Sequence, residues 1–148
     1  MSRVLDRRTH LEVLDRDECL LLLEHAHLGR LAIVADGRPL VFPVNYAMDG
    51  DAVVFCTGDG TKLYAARGNE VAFEIDGADA RYHVGWSVLV VGLGEEVSDP
   101  AGLARCIRLP LRAWGEGPKS HWIRIRPRAI TGRRIPPHGT AFVEEETR

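Results

Sequence analysis

Residues 57–62 read TGDGTK, which sets two hydroxyls, two glycines, one carboxylate and one lysine in six positions. Leaving a strand and entering a short helix, such a loop can offer backbone amides, the Thr57 and Thr61 hydroxyls and the Lys62 ammonium to a phosphate. Thr61 is placed to cap a short helix over 62–67. The spacing is not GxxxxGK[ST] and no long helix follows, so this is not a P-loop. The same six residues also read as an ordinary strand-to-helix connection with a solvated lysine. A second polar group lies upstream, where Asn45 interrupts an apolar strand. Once buried it needs partners, either a ligand's polar atoms or neighbouring backbone.

Residues 38–63 must position these groups. Leu40, Phe42, Val44 and Tyr46 alternate with Val41, Pro43, Asn45 and Ala47, which is a strand with period two. Residues 48–51 supply a turn and residues 52–57 a return strand rich in β-formers. Pro43 has no amide donor and argues for an edge, a bulge or a strand end. A first strand over 29–34 precedes this hairpin, so three strands form a meander. Further strands are predicted over 70–75, 82–97 and 121–126, with Pro127 breaking the last and 129–133 able to continue it after a bend. Gly85, Gly92 and Gly94 mark bends in the longest of them. Asp15 with Glu18 has capping-box spacing for a helix whose apolar residues are Cys19, Leu20, Leu22 and Leu23. Asp99 followed by Pro100 opens another, with Leu103, Cys106 and Ile107 facing inward. Arg30 is placed to meet a cofactor or a surface carboxylate. Glu74, Asp76 and Asp79 read as a solvated acidic edge.

The domain plan is an arm over 1–14, one domain over 15–135 and a tail over 136–148. Six or so strands with short helices favour a small, partly closed antiparallel barrel, and the missing βαβ crossovers argue against a Rossmann sheet. The formal net charge of -2 gives no basic surplus for nucleic acid. Cys19, Cys56 and Cys106 are scattered, without zinc-type spacing, which fits a reducing cytoplasm. No apolar run is long enough to cross a bilayer, so no membrane role is expected. Ser87 lacks a GxSxG setting for hydrolase chemistry.

The segments GRLAIVADGRPLVFPVNY, DAVVFCTGDGTKL, VAFEIDGAD, GWSVLVVGLGEEV and WIRIRPRAITGRRI occur in this order. Together they resemble the pyridoxamine 5'-phosphate oxidase-like proteins with an FMN-binding split barrel, over roughly 15–135. The resemblance implies a mainly β fold, a six-stranded antiparallel split barrel of Greek-key type with short flanking helices. It implies a homodimer with FMN at the interface and a flavin-dependent oxidoreductase acting on a small molecule. The isoalloxazine would lie against Pro43, Val44, Asn45, Tyr46, Phe55, Cys56 and Thr57, with the phosphate at Thr57, Thr61 and Lys62. Trp86, Trp114 or Trp122 would reach the site from the facing subunit. Members often carry a basic residue where this chain has Cys56. The basic C-terminal motif of the longer oxidases is not recognisable, so pyridoxamine phosphate oxidation is not implied. Binding of F420 is an alternative, as is a non-catalytic flavin-binding or sensory module. A haem-handling role would need a ligand such as His25, His27, His83 or His121.

Overall fold

The computed structural model describes residues 4–111, 121–136 and 143–144. Within them lie ten strands: β1 (Val4–Leu5), β2 (Glu12–Leu14), β3 (Leu28–Ala35), β4 (Arg38–Asn45), β5 (Ala47–Asp49), β6 (Ala52–Thr57), β7 (Glu70–Asp79), β8 (Val84–Glu96), β9 (His121–Arg134) and β10 (Val143–Glu144). The helices are α1 (Arg16–His25), α2 (Thr61–Ala66) and α3 (Pro100–Ile107). One sheet runs β10-β1-β2-β9-β8-β7-β3-β4, and β6 branches from β9 carrying β5. This is the split-barrel class that the resemblance implies, in line with the partly closed antiparallel barrel that the strand pattern favours.

Strand β9 organises the branch. Its first half pairs with β6, from Thr57 opposite His121 to Val53 opposite Ile125. Its last residues pair with β2 instead, and β8 lines its other side from Ile123 to Arg134. Pro127 interrupts the ladder, and the strand continues beyond it over 129–133 as the residues there allow. The register shifts opposite Pro127, between Val91 and Gly92, so a bulge absorbs the missing donor and pairing resumes.

The expected meander forms only in part. Strand β4 pairs along its length with β3, from Asn45 opposite Leu28 to Arg38 opposite Ala35. Only Ala47–Asp49 pairs with the start of β6. The chain changes direction at Tyr46, whose amide donates to the His27 carbonyl at 3.1 Å. Its ring turns into the core, edge-on to Phe73 at 4.8 Å between centroids. Strands β4 and β6 therefore diverge, and that opening is the split. In the sheet order β4 is the terminal strand, carrying Pro39 and Pro43.

Alternation places Leu31, Phe73, Ile75, Val88 and Val90 in the core with Phe55, Ile123 and Ile125. Burial of each such side chain contributes about 1.5–3 kcal/mol. Helix α1 covers this core with Cys19 and Leu23, and its capping box is complete: Asp15 accepts from the Glu18 amide and Glu18 from the Asp15 amide. Helix α3 is capped by Asp99 as expected, and packs Cys106 onto Val54 and Val97, with Trp122 alongside. Ile107, expected on its buried side, is instead 71% exposed. Within the described part of the arm, Glu12 is buried and meets Arg134 of β9 through two contacts of 3.1 Å. No helix among the described residues is long and apolar enough to cross a membrane.

Candidate functional site

The glycine loop is shaped by its own backbone. Gly60 adopts φ 142 and stands immediately before α2, where no side chain caps the helix. Side-chain-bearing residues rarely take that angle, so glycine holds the cap position. Thr61, expected to cap, is the first helical residue. Three buried residues, Leu63, Ala65 and Ala66, seat α2. Its end lies against Gly94, where a Cβ would come 2.2 Å from the Ala66 carbonyl oxygen. Gly68 donates to Gly94 at 2.8 Å, and Gly94 to Asn69 at 2.9 Å.

Lys62 joins this loop to β4, its Nζ lying 5.7 Å above the Phe42 ring. Around the split, Pro43 is exposed, Val44 is buried and Asn45 is half-buried. Asn45 Oδ1 is fully enclosed and has no hydrogen-bond partner among the described residues. Thr57 is 4% exposed, and its hydroxyl donates to the Gly58 carbonyl at 3.3 Å. Thr61 is exposed. Cys56 is half-buried opposite Trp122, with a position facing the α3 side of the sheet.

Two expected contact residues point elsewhere. Phe55 is fully buried in the core. The Tyr46 hydroxyl donates to the Leu23 carbonyl at 2.6 Å, and burial pushes its phenol above the usual range. Both can offer main-chain groups only. Trp86 is further off: it pairs with Gly77 and Arg134 at the opposite end of β8 from Glu96. Ten residues of strand separate Trp86 from Glu96, a span of about 30 Å. Trp86 packs against the main core cluster rather than into the loop. Trp114 lies outside the described residues.

Arg30 meets carboxylates, with Nη1 3.2 Å from Glu74 and 2.9 Å from Asp76. Burial, then the neighbouring Asp76, raises the Glu74 carboxyl above its ordinary range. Among the described residues no group of three or more His, Cys, Asp and Glu side chains is set to hold a metal.

Near the loop, the sequence reading missed a chain of ionic contacts. Arg67 donates to Glu96 at 3.0 Å, and His121 lies 2.8 Å from Glu96 and 2.9 Å from Asp59. Its members come from the end of α2, from β8, from β9 and from the loop, so no local spacing betrays it. Two cavities lie away from these groups. One of about 290 Å³ is bordered by His25, His27, Tyr46 and Met48, and one of about 390 Å³ by Arg105, Arg124 and Arg126.

The outer face of the sheet is also unusual. Val41, Ala32, Ala72, Val91 and Ala129 form one transverse row across five strands. Leu89 and Leu93 flank it, each more than 40% exposed. A solvated face would alternate to polar residues here.

The family model described as pyridoxamine 5'-phosphate oxidase matches residues 15–134. The chain belongs to the pyridoxamine 5'-phosphate oxidase family. Within that family it is similar to a solved FAD-binding protein of Mycobacterium smegmatis, at 40% identity and TM-score 0.74, covering 84% of this chain and 99% of the other. A solved FAD-binding protein of Mesorhizobium loti is 28% identical with TM-score 0.71, covering 84% and 96%. An uncharacterised protein of Mycobacterium tuberculosis is 38% identical over 128 residues, 82% of this chain and 84% of its own. The pyridoxamine 5'-phosphate oxidase match runs from the cap of α1 to the end of β9.

Proposed function

We propose that this chain is a flavin-nucleotide-binding oxidoreductase, with the flavin at the split between β4 and β6. The single observation that carries the reading is Asn45 Oδ1, enclosed and unpartnered beside β4. A buried acceptor of this kind costs about 1–3 kcal/mol unless a donor arrives. The N–H edge of a flavin pyrimidine ring is such a donor. Thr57, Thr61 and Lys62 supply hydroxyls and a positive charge for the ribityl phosphate. When bound, the flavin would supply the electron or hydride chemistry, and the protein would hold and orient it. Pro43 and Asn45 would border the ring, and the main chain at Val44, Tyr46 and Phe55 would complete that wall.

FAD and FMN share the phosphate and ring that this site addresses. The two solved relatives named above are FAD-binding proteins, which supports FAD beside the FMN first expected. F420, the deazaflavin alternative, carries the same kind of phosphate. The exposed apolar row on the outer face supports a dimer, because a contiguous apolar patch marks an interface. In a dimer Trp86 of one copy could serve the loop of the other.

Purified protein is expected to be yellow, with FAD or FMN released on denaturation and identified by mass spectrometry. Failure to bind FAD, FMN or F420 at micromolar concentration overturns the reading. A non-catalytic flavin module is the second reading. It is favoured by Cys56, which leaves a thiol where members of the family often carry a basic residue. Bound flavin that no nicotinamide donor or reduced F420 reduces, with quinones or nitroaromatics as acceptors, selects it over the oxidoreductase.

A further inference from the structure

The His121 imidazole is held between two carboxylates, with Nδ1 2.8 Å from Glu96 Oε2 and Nε2 2.9 Å from Asp59 Oδ1. A neutral ring carries one N–H and sets a lone pair against one of these oxygens. Only the imidazolium donates to both. The other oxygen of Glu96 accepts from Arg67 at the end of α2. Asp59 stands between Gly58 and Gly60, in a loop whose helix has no side-chain cap. The contact with His121 is thus an anchor for the segment that presents Thr61 and Lys62. Among the described residues the charged groups facing the ring are Glu96 from β8 and Asp59 from the loop, with Arg67 behind Glu96. Thr57, its register partner on β6, is uncharged.

We propose that His121 is a proton-dependent positioning residue for the glycine loop. As an imidazolium it clamps Asp59 to Glu96 and fixes where Gly60, Thr61 and Lys62 present their donors. Loss of one ring proton releases Asp59 and loosens the loop.

Both titrating partners support this direction. Glu96 foremost holds the His121 proton on above its ordinary 6.5, with Asp59 adding to it against the opposing desolvation. His121, then Arg67, hold the Glu96 carboxyl below its ordinary 4.5. A raised histidine contributes fully below pH 6.5 and loses its contribution as pH rises through the higher folded value. A lowered carboxyl contributes above pH 4.5 and fails only on further acidification. The clamp is therefore complete in mildly acid solution and opens on the alkaline side.

The first test uses the full chain without flavin. Nitrogen NMR of His121 should show both ring nitrogens protonated at mildly acid pH, with titration above the ordinary histidine value. Amide exchange at residues 58–62, corrected for intrinsic rates, should accelerate over the same range. In His121→Gln that step should vanish. A neutral ring in mild acid, or exchange without a step in the wild-type chain, overturns the proposal, whether or not the variant folds. The second test rests on the flavin reading given above. FMN affinity should fall with rising pH by up to about tenfold per unit, the limit for one linked proton, and His121→Gln should remove the dependence. A step in exchange without one in affinity upholds the clamp and removes the phosphate from this loop.

Discussion

The Tyr46 hydroxyl donates to the main-chain carbonyl of Leu23 across 2.6 Å in a buried setting. This bond fastens the end of β4 to α1 at the residue where the barrel splits. Tyr46→Phe keeps the ring against Phe73 and leaves the carbonyl without its donor. Loss of about 1–2 kcal/mol is expected in urea unfolding, with flavin absorption unchanged. Burial also raises the phenol, so wild-type stability should decline as pH rises above about 10, the unfolded value, and Tyr46→Phe should lack that component. Identical alkaline curves for the two proteins contradict this assignment.

Lys62 reaches back over Phe42 and carries the positive charge of the loop. Lys62→Ala should weaken FMN and FAD by about tenfold or more, the value of one charge-assisted hydrogen bond. Riboflavin lacks the phosphate and should change little. Fluorescence titration of both ligands decides the matter: equal losses remove Lys62 from the phosphate.

Gly94 lets α2 approach β8. Gly94→Ala drives a methyl group into the Ala66 carbonyl, and overpacking of this kind costs about 1–3 kcal/mol. Because the same contact seats the helix that follows the loop, flavin affinity should fall with stability. Calorimetry and ligand titration on one preparation test both effects. Wild-type stability in the variant means that α2 relaxes away freely.

Ala72 lies at the middle of the outer apolar row. Ala72→Arg puts a charge where two copies would meet, so sedimentation should show a monomer. If the site is shared between two copies, the monomer should also lose flavin. A monomer that keeps full affinity places the whole site within one chain.

Local chemistry made much of this fold legible. The Asp15–Glu18 box and the Asp99–Pro100 start are short-range features and appear where the residues place them. Strict alternation at 121–126 announced which side of β9 is buried. Pairing was less accessible, because a hairpin and a split begin with the same residues. What separates them at Tyr46 is a core contact with Phe73 and a bond to Leu23, both remote in sequence. Individual orientations suffered likewise: Phe55 and Tyr46 look like wall residues until β6 and β4 are twisted around the core. His121 could be read as a strand residue or a candidate haem ligand, but not as a carboxylate clamp, since its partners lie 25 and 62 residues away.

Strand β4 ends the sheet with Pro39 and Pro43 four residues apart, hence in the same phase of the strand. Neither has an N–H to give β3, so in that phase the amides point away from the ladder. An open edge with a full row of donors recruits foreign strands and seeds aggregates. Here two donors in that row are missing, leaving isolated amides at Val41 and Asn45. A foreign strand would meet a broken ladder there, so the two prolines guard this edge against polymerisation.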